Sequence, residues 1–177
     1  MPDQAPATDN QLKLVGWAWL SHGALLLIGA GGLVLMQGMM NYLVRELGYD
    51  LPRQARAGLQ HMQAVMADLA AFAPYSAALG AVVIPVSMAF LKRRAWARTA
   101  VIVLSWLHLA LIPLAAWHAF TMPPVLMQFD QAGQPIPGFG LASHVMHGVS
   151  LAMMAALLLV MTWMVHRPSM RAQFTSD

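Results

Sequence analysis

Seven histidines, fifteen methionines and no cysteine define the chemistry open to this 177-residue chain. Without thiols there is no disulfide, no thiolate metal site and no cysteine nucleophile, so imidazole and thioether are the available soft donors. Two histidines stand deep in apolar sequence. His22 lies nine residues beyond Lys13 and His108 ten beyond Arg98, which at 1.5 Å per helical residue is about 13 to 15 Å along each span. Matching depth on two spans permits a pair. An ionisable group inside a membrane is costly and implies a partner. The chemistry such a pair offers is bis-histidine ligation of haem b, or else neutral imidazoles satisfied by Ser21, Ser105 or a backbone carbonyl freed by Pro113.

A second group is shallower. His61, His118, His144 and His147 fall toward the opposite membrane face, and His144 and His147, three apart at the start of a helix, share a side of it. Met36, Met39, Met40, Met62, Met66, Met122, Met127 and Met146 gather there too. Neutral imidazole with thioether suits copper, Cu(I) above all. Asp130 is the acid available in that region to complete a metal site. The plainer alternative is that methionine fills gaps and histidine tolerates an interface. His166 closes the last span at the other face.

The elements that must position these residues are four uncharged apolar runs: Leu14 to Val44, Leu69 to Leu91, Thr99 to Phe129 and Ala132 to His166. Each supplies the roughly 20 apolar residues a helix needs to cross the hydrocarbon core. With 59% hydrophobic and 10% charged residues, no soluble core could hide the apolar surface. The expected fold is an all-α, four-helix transmembrane bundle, with spans at about 14–43, 66–91, 97–120 and 143–166. Lys13, Lys92, Arg93, Arg94, Arg98, Arg167 and Arg171 lie on one side and Arg45, Arg53 and Arg56 on the other. The positive-inside rule therefore places both termini in the cytoplasm. Between spans one and two, 52–68 reads as an outer amphipathic helix, with Leu59, Met62, Met66 and Leu69 at helical spacing. The outer loop 121–143, rich in proline and glycine, reads as irregular. Gly16, Gly23 and Ala30, seven apart, make a small-residue stripe that lets span one pack closely and centrally. Pro74, Pro85 and Pro113 are expected to bend their spans.

The stretch from Leu91 to Pro113, Leu-Lys-Arg-Arg-Ala-Trp-Ala-Arg and then an apolar run with a central Ile-Pro-Leu, resembles a feature of small uncharacterised bacterial four-span membrane proteins. The resemblance implies a multi-pass protein of the bacterial inner membrane and no particular activity.

Other classes fall away. Asp3, Asp9, Glu46, Asp50, Asp68, Asp130 and Asp177 all lie outside the spans, whereas cation or proton transport normally uses an intramembrane acid. No phosphate loop, His-Glu-x-x-His or nucleophile elbow is present. The net charge of +3 comes from residues that flank spans, so nucleic acid is not an expected partner. The amino terminus, acidic and without a basic region, predicts no cleavable leader. The expected function is a non-enzymatic accessory or interaction subunit of a larger membrane assembly, in contact with lipid and with other membrane subunits or a second copy. The alternative is a redox or metal-binding membrane protein, holding haem b at His22 and His108 or copper at His118, His144, His147 and His61.

Overall fold

A computed structural model describes residues 9–47, 50–121, 129–136 and 139–174. Among these residues the chain is all-α: α1 (Asp9–Leu47), α2 (Arg53–Ala70), α3 (Ala73–Leu91), α4 (Ala95–Thr121), α5 (Phe139–His166), a short α6 (Pro168–Arg171) and a 3-10 turn, Ala172–Phe174. Four helical stretches are long and apolar enough to cross a membrane: Asp9–Leu47, Arg53–Leu91, Ala95–Thr121 and Gly140–His166. At 39 residues α1 is about 58 Å long, well beyond the roughly 30 Å of hydrocarbon. The chain is thus a multi-pass helical membrane protein, and its described residues divide into two compact units.

The first unit holds the early part of α1, α3 from Ala78, α4 to Leu114, and the end of α5 with the carboxyl-terminal turns. It carries a single core cluster. Leu12, Val15 and Trp19 come from α1, Val83, Val86 and Phe90 from α3, Ala97, Val101 and Leu104 from α4, and Leu158, Met161 and Val165 from α5. In every helix these residues step by three and four, the spacing that keeps one side of a 3.6-residue helix facing its neighbours. Gly16 and Gly23 bring α1 close to α3. A β-carbon at Gly23 would stand 2.9 Å from Val83, and one at Gly80 only 2.8 Å from the Gly23 carbonyl oxygen. This is close helix contact through small residues, where packing replaces the missing hydrophobic drive.

The buried hydroxyls cost nothing unpaired, because Ser87, Ser105 and Thr162 each donate to the carbonyl four residues back, on Val83, Val101 and Leu158. The basic connector after α3 closes tightly. The Arg94 amide donates to the Ala89 carbonyl and the Arg93 amide to that of Phe90, with Arg93 at φ 58° in the left-handed position usual for a helix C-terminal stop. From there Arg93 reaches Asp9 at 2.7 Å, and Lys13 bonds the same carboxylate. After α5, Met170 and Phe174 fold back onto the core, with Phe174 4.9 Å from the Phe90 ring. The sequence reading did not anticipate this closing turn.

The second unit holds α1 from Ile28, α2, the first turn of α3, the end of α4, the segment 129–136 and the start of α5. α2 is a helix over the segment 52–68 that the sequence reads as amphipathic, from Arg53 on. Pro74, expected to bend span two, instead sits in the first turn of α3, after a break at Ala71 and Phe72; there its missing amide costs nothing, since first-turn amides have no helical acceptor. Pro85 and Pro113 do lie inside helices. The loop 121–143, expected to be irregular, contains a compact turn. Asp130 Oδ1 accepts from the Ala132 and Gln134 amides, Asp130 N donates to the Gln134 carbonyl, and Gly133, at φ 80°, donates to the Asp130 carbonyl. Gln54 of α2 donates to the Phe129 carbonyl at 2.7 Å and anchors this turn. Met122 and Met127, named above as copper donors, lie outside the described residues.

Among the described residues, Ala30, Val65, Met66, Ala73 and Ser143 are the buried ones of this unit. Span one is also less central than its small-residue stripe suggested. Gly16, Gly23 and Ala30 are buried as expected, but beyond Ala30 no residue of α1 is buried.

Candidate functional site

His22 and His108 meet. Their Nε2 atoms are 3.1 Å apart, a contact that their matching depth permits. Each occupies the next step of its helix's core seam: His22 follows Leu12, Val15 and Trp19, and His108 follows Ala97, Val101 and Leu104. His108 is 8% exposed and no residue of α4 beyond it is buried, so the pair ends the core of the first unit. Trp19, 1% exposed, sets its ring edge-on to both imidazoles, 5.8 Å from His22 and 5.3 Å from His108.

The hydrogen bonds define the tautomers. His108 Nδ1 lies 2.7 Å from the Leu104 carbonyl oxygen, which can only accept, so Nδ1 carries the proton. In a neutral imidazole Nε2 is then a lone pair. His22 Nε2–H donates to it, and one proton lies between the rings. Ser105, considered above as a partner for these histidines, is used by the Val101 carbonyl instead, and Ser21 is exposed. The histidines satisfy each other.

This geometry differs from that of a haem site. Two imidazoles on opposite faces of an iron hold their nitrogens about 4 Å apart, twice a metal–imidazole bond of about 2.0 Å, with the macrocycle between them. At 3.1 Å the nitrogens would have to part by about 1 Å for any metal between them, and haem would further require the helices to open for its macrocycle.

The second group of histidines is dispersed over aromatic neighbours. His61 packs on Phe129 at 5.5 Å, His118 on Phe72 at 4.6 Å and His144 on Phe120 at 5.7 Å. His147 donates Nδ1–H to the Ser143 carbonyl at 2.8 Å, as His166 does to that of Thr162. Among the described residues no three histidine or acidic side chains come together around one ion. Asp130 Oδ1, considered above as a metal donor, accepts the backbone amides of its own turn. Sequence reasoning missed the Trp19 contact and the aromatic partners. The first was visible, since Trp19 and His22 are three apart on one side of a helix.

The other notable feature is a surface. Ile28, Gly31, Leu35, Gly38 and Tyr42 repeat the three-and-four spacing of the core seams, yet Ile28, Leu35 and Tyr42 are 70%, 75% and 61% exposed. A β-carbon at Gly31 or Gly38 would meet nothing within 4 Å. Large side chains alternate with gaps along this edge of α1.

Fold and sites together define a multi-pass helical membrane protein with a half-buried imidazole pair and an open helix seam. No protein-family model, curated protein or solved structure matches the chain.

Proposed function

We propose that this chain is a non-enzymatic accessory subunit of a larger assembly in the bacterial inner membrane, docking on another membrane helix through the Ile28–Tyr42 edge of α1. The observation that carries the reading is that edge. Its knobs and gaps have the spacing of a helix–helix seam, but nothing among the described residues fills them. A glycine inside a helix costs about 0.5 to 1 kcal/mol relative to alanine. Gly16, Gly23 and Gly80 offset that cost by close approach, whereas Gly31 and Gly38 gain nothing from the described residues. In a bilayer small residues serve association, since they let a partner backbone come near. The distribution of lysine and arginine supports an orientation with both termini and Lys92–Arg98 in the cytoplasm, leaving the docking edge in the outer half of α1.

Native mass measurement after extraction in mild detergent tests the reading. The expected result is a particle larger than one chain, reduced in size by Gly31→Leu or Gly38→Leu. A monomer without partners, or a particle indifferent to both substitutions, contradicts it.

A further inference from the structure

We propose that the His22–His108 pair is a two-coordinate binding site for a monovalent soft cation, Cu(I). The inference is independent of the subunit reading above.

The donors come first. Both nitrogens that face each other are neutral imidazole Nε2 atoms, a ligand type that copper accepts well. The uncharged stretches holding them supply no carboxylate and the chain no thiolate. A divalent ion bound by two neutral ligands would bring two uncompensated charges into an apolar core, where each is expensive. A monovalent ion brings one. Only two such donors converge, and Cu(I) is the biological transition-metal ion most content with two.

Preorganisation comes next. A metal-bound imidazole characteristically donates its other N–H to a carbonyl or carboxylate, which fixes its tautomer and aims the lone pair. His108 already does so through Nδ1 and Leu104 O at 2.7 Å, so its Nε2 lone pair points at His22 without rearrangement. Trp19 covers both rings, and its buried indole Nε1 has no hydrogen-bond partner. An apolar wall on that side lowers access of water to the pair.

Loading requires two small changes. The proton on His22 Nε2 moves to Nδ1 of the same ring, exposing its lone pair. The nitrogens then part from 3.1 Å to about 4 Å, the span of two collinear bonds of about 2.0 Å. Two N–Cu bonds form, one inter-ring hydrogen bond is lost, and no proton leaves the protein. The pair is closed by a proton when empty and opened by the metal when filled.

The test is an anaerobic titration of the full-length protein in mild detergent with Cu(I), stabilised by acetonitrile, against a chromogenic Cu(I) chelator. Copper-edge X-ray absorption is recorded on the loaded sample. The expected result is one Cu(I) per chain with two nitrogen scatterers and no sulfur. His22→Leu and His108→Leu should each weaken binding by more than the roughly 100-fold that loss of a supporting partner costs, while a His144→Ala/His147→Ala double variant keeps it. If one leucine variant fails to fold, the other suffices. Substoichiometric copper, sulfur scatterers, binding that survives both leucine variants, or a Soret band on the purified protein overturns the proposal.

Discussion

The two halves of α1 carry the same pattern and put it to opposite use. From Leu12 to His22 the three-and-four seam is packed into a core, and Gly16 and Gly23 hold it against α3. From Ile28 to Tyr42 an equivalent seam is open, and a β-carbon at Gly31 or Gly38 would touch none of the described residues. Periodicity therefore identifies a packing face without saying whether the partner lies in the same chain. Glycine makes the difference measurable. Where it is crowded, its replacement breaks the fold, and where it is open, its replacement affects only what docks.

The largest effect should come from the crowded half. Gly80→Ala places a methyl group 2.8 Å from the Gly23 carbonyl oxygen, and backbone cannot move aside as a side-chain tip can. We expect a loss of about 1 to 3 kcal/mol, read as a lowered thermal midpoint in detergent; an unchanged midpoint would remove the basis for the comparison. Next come the histidines. A single His22→Leu or His108→Leu strands the other imidazole in the core and should cost about 1 to 2 kcal/mol. The double leucine variant should recover part of that loss, because nothing polar is left unpaired. If the double variant shows the sum of the two losses, the histidines are not coupled.

In the second unit Asp130→Ala removes an acceptor of two backbone amides and should cost about 1 kcal/mol locally, by analogy with a lost helix cap. Limited proteolysis within 129–136 would accelerate while the global midpoint holds. The smallest effect, and of opposite sign, belongs to Gly31→Ala. With no neighbour to meet, the isolated chain should be unchanged or gain up to about 1 kcal/mol from reduced backbone freedom. A marked loss would mean that the open seam is already filled.

The four apolar helices were legible in the sequence, and depth permitted the His22–His108 contact without specifying it, because hydropathy and helical spacing are one-dimensional properties. The break before Pro74 was not, since proline signals a helix start and a kink with the same letter. Nor was the 129–136 turn, whose proline and glycine suggest irregularity while its order comes from one carboxylate oxygen of Asp130. The dispersal of His61, His118 and His144 onto phenylalanine rings was equally hidden, because a shared membrane face does not fix which side chains meet. The tautomer of His108 depends on a backbone carbonyl, and composition is silent about that.

The central claim is that the open seam is a docking face, and the absence of cysteine allows a direct test, because one introduced thiol is unique. Gly38→Cys and, as a control on an exposed apolar position outside the seam, Leu157→Cys are compared by thiol-directed photo-crosslinking in native membranes. The account predicts a discrete higher-mass adduct from Gly38→Cys and none from Leu157→Cys. Equal labelling of the two positions, or no protein adduct from either, would contradict it.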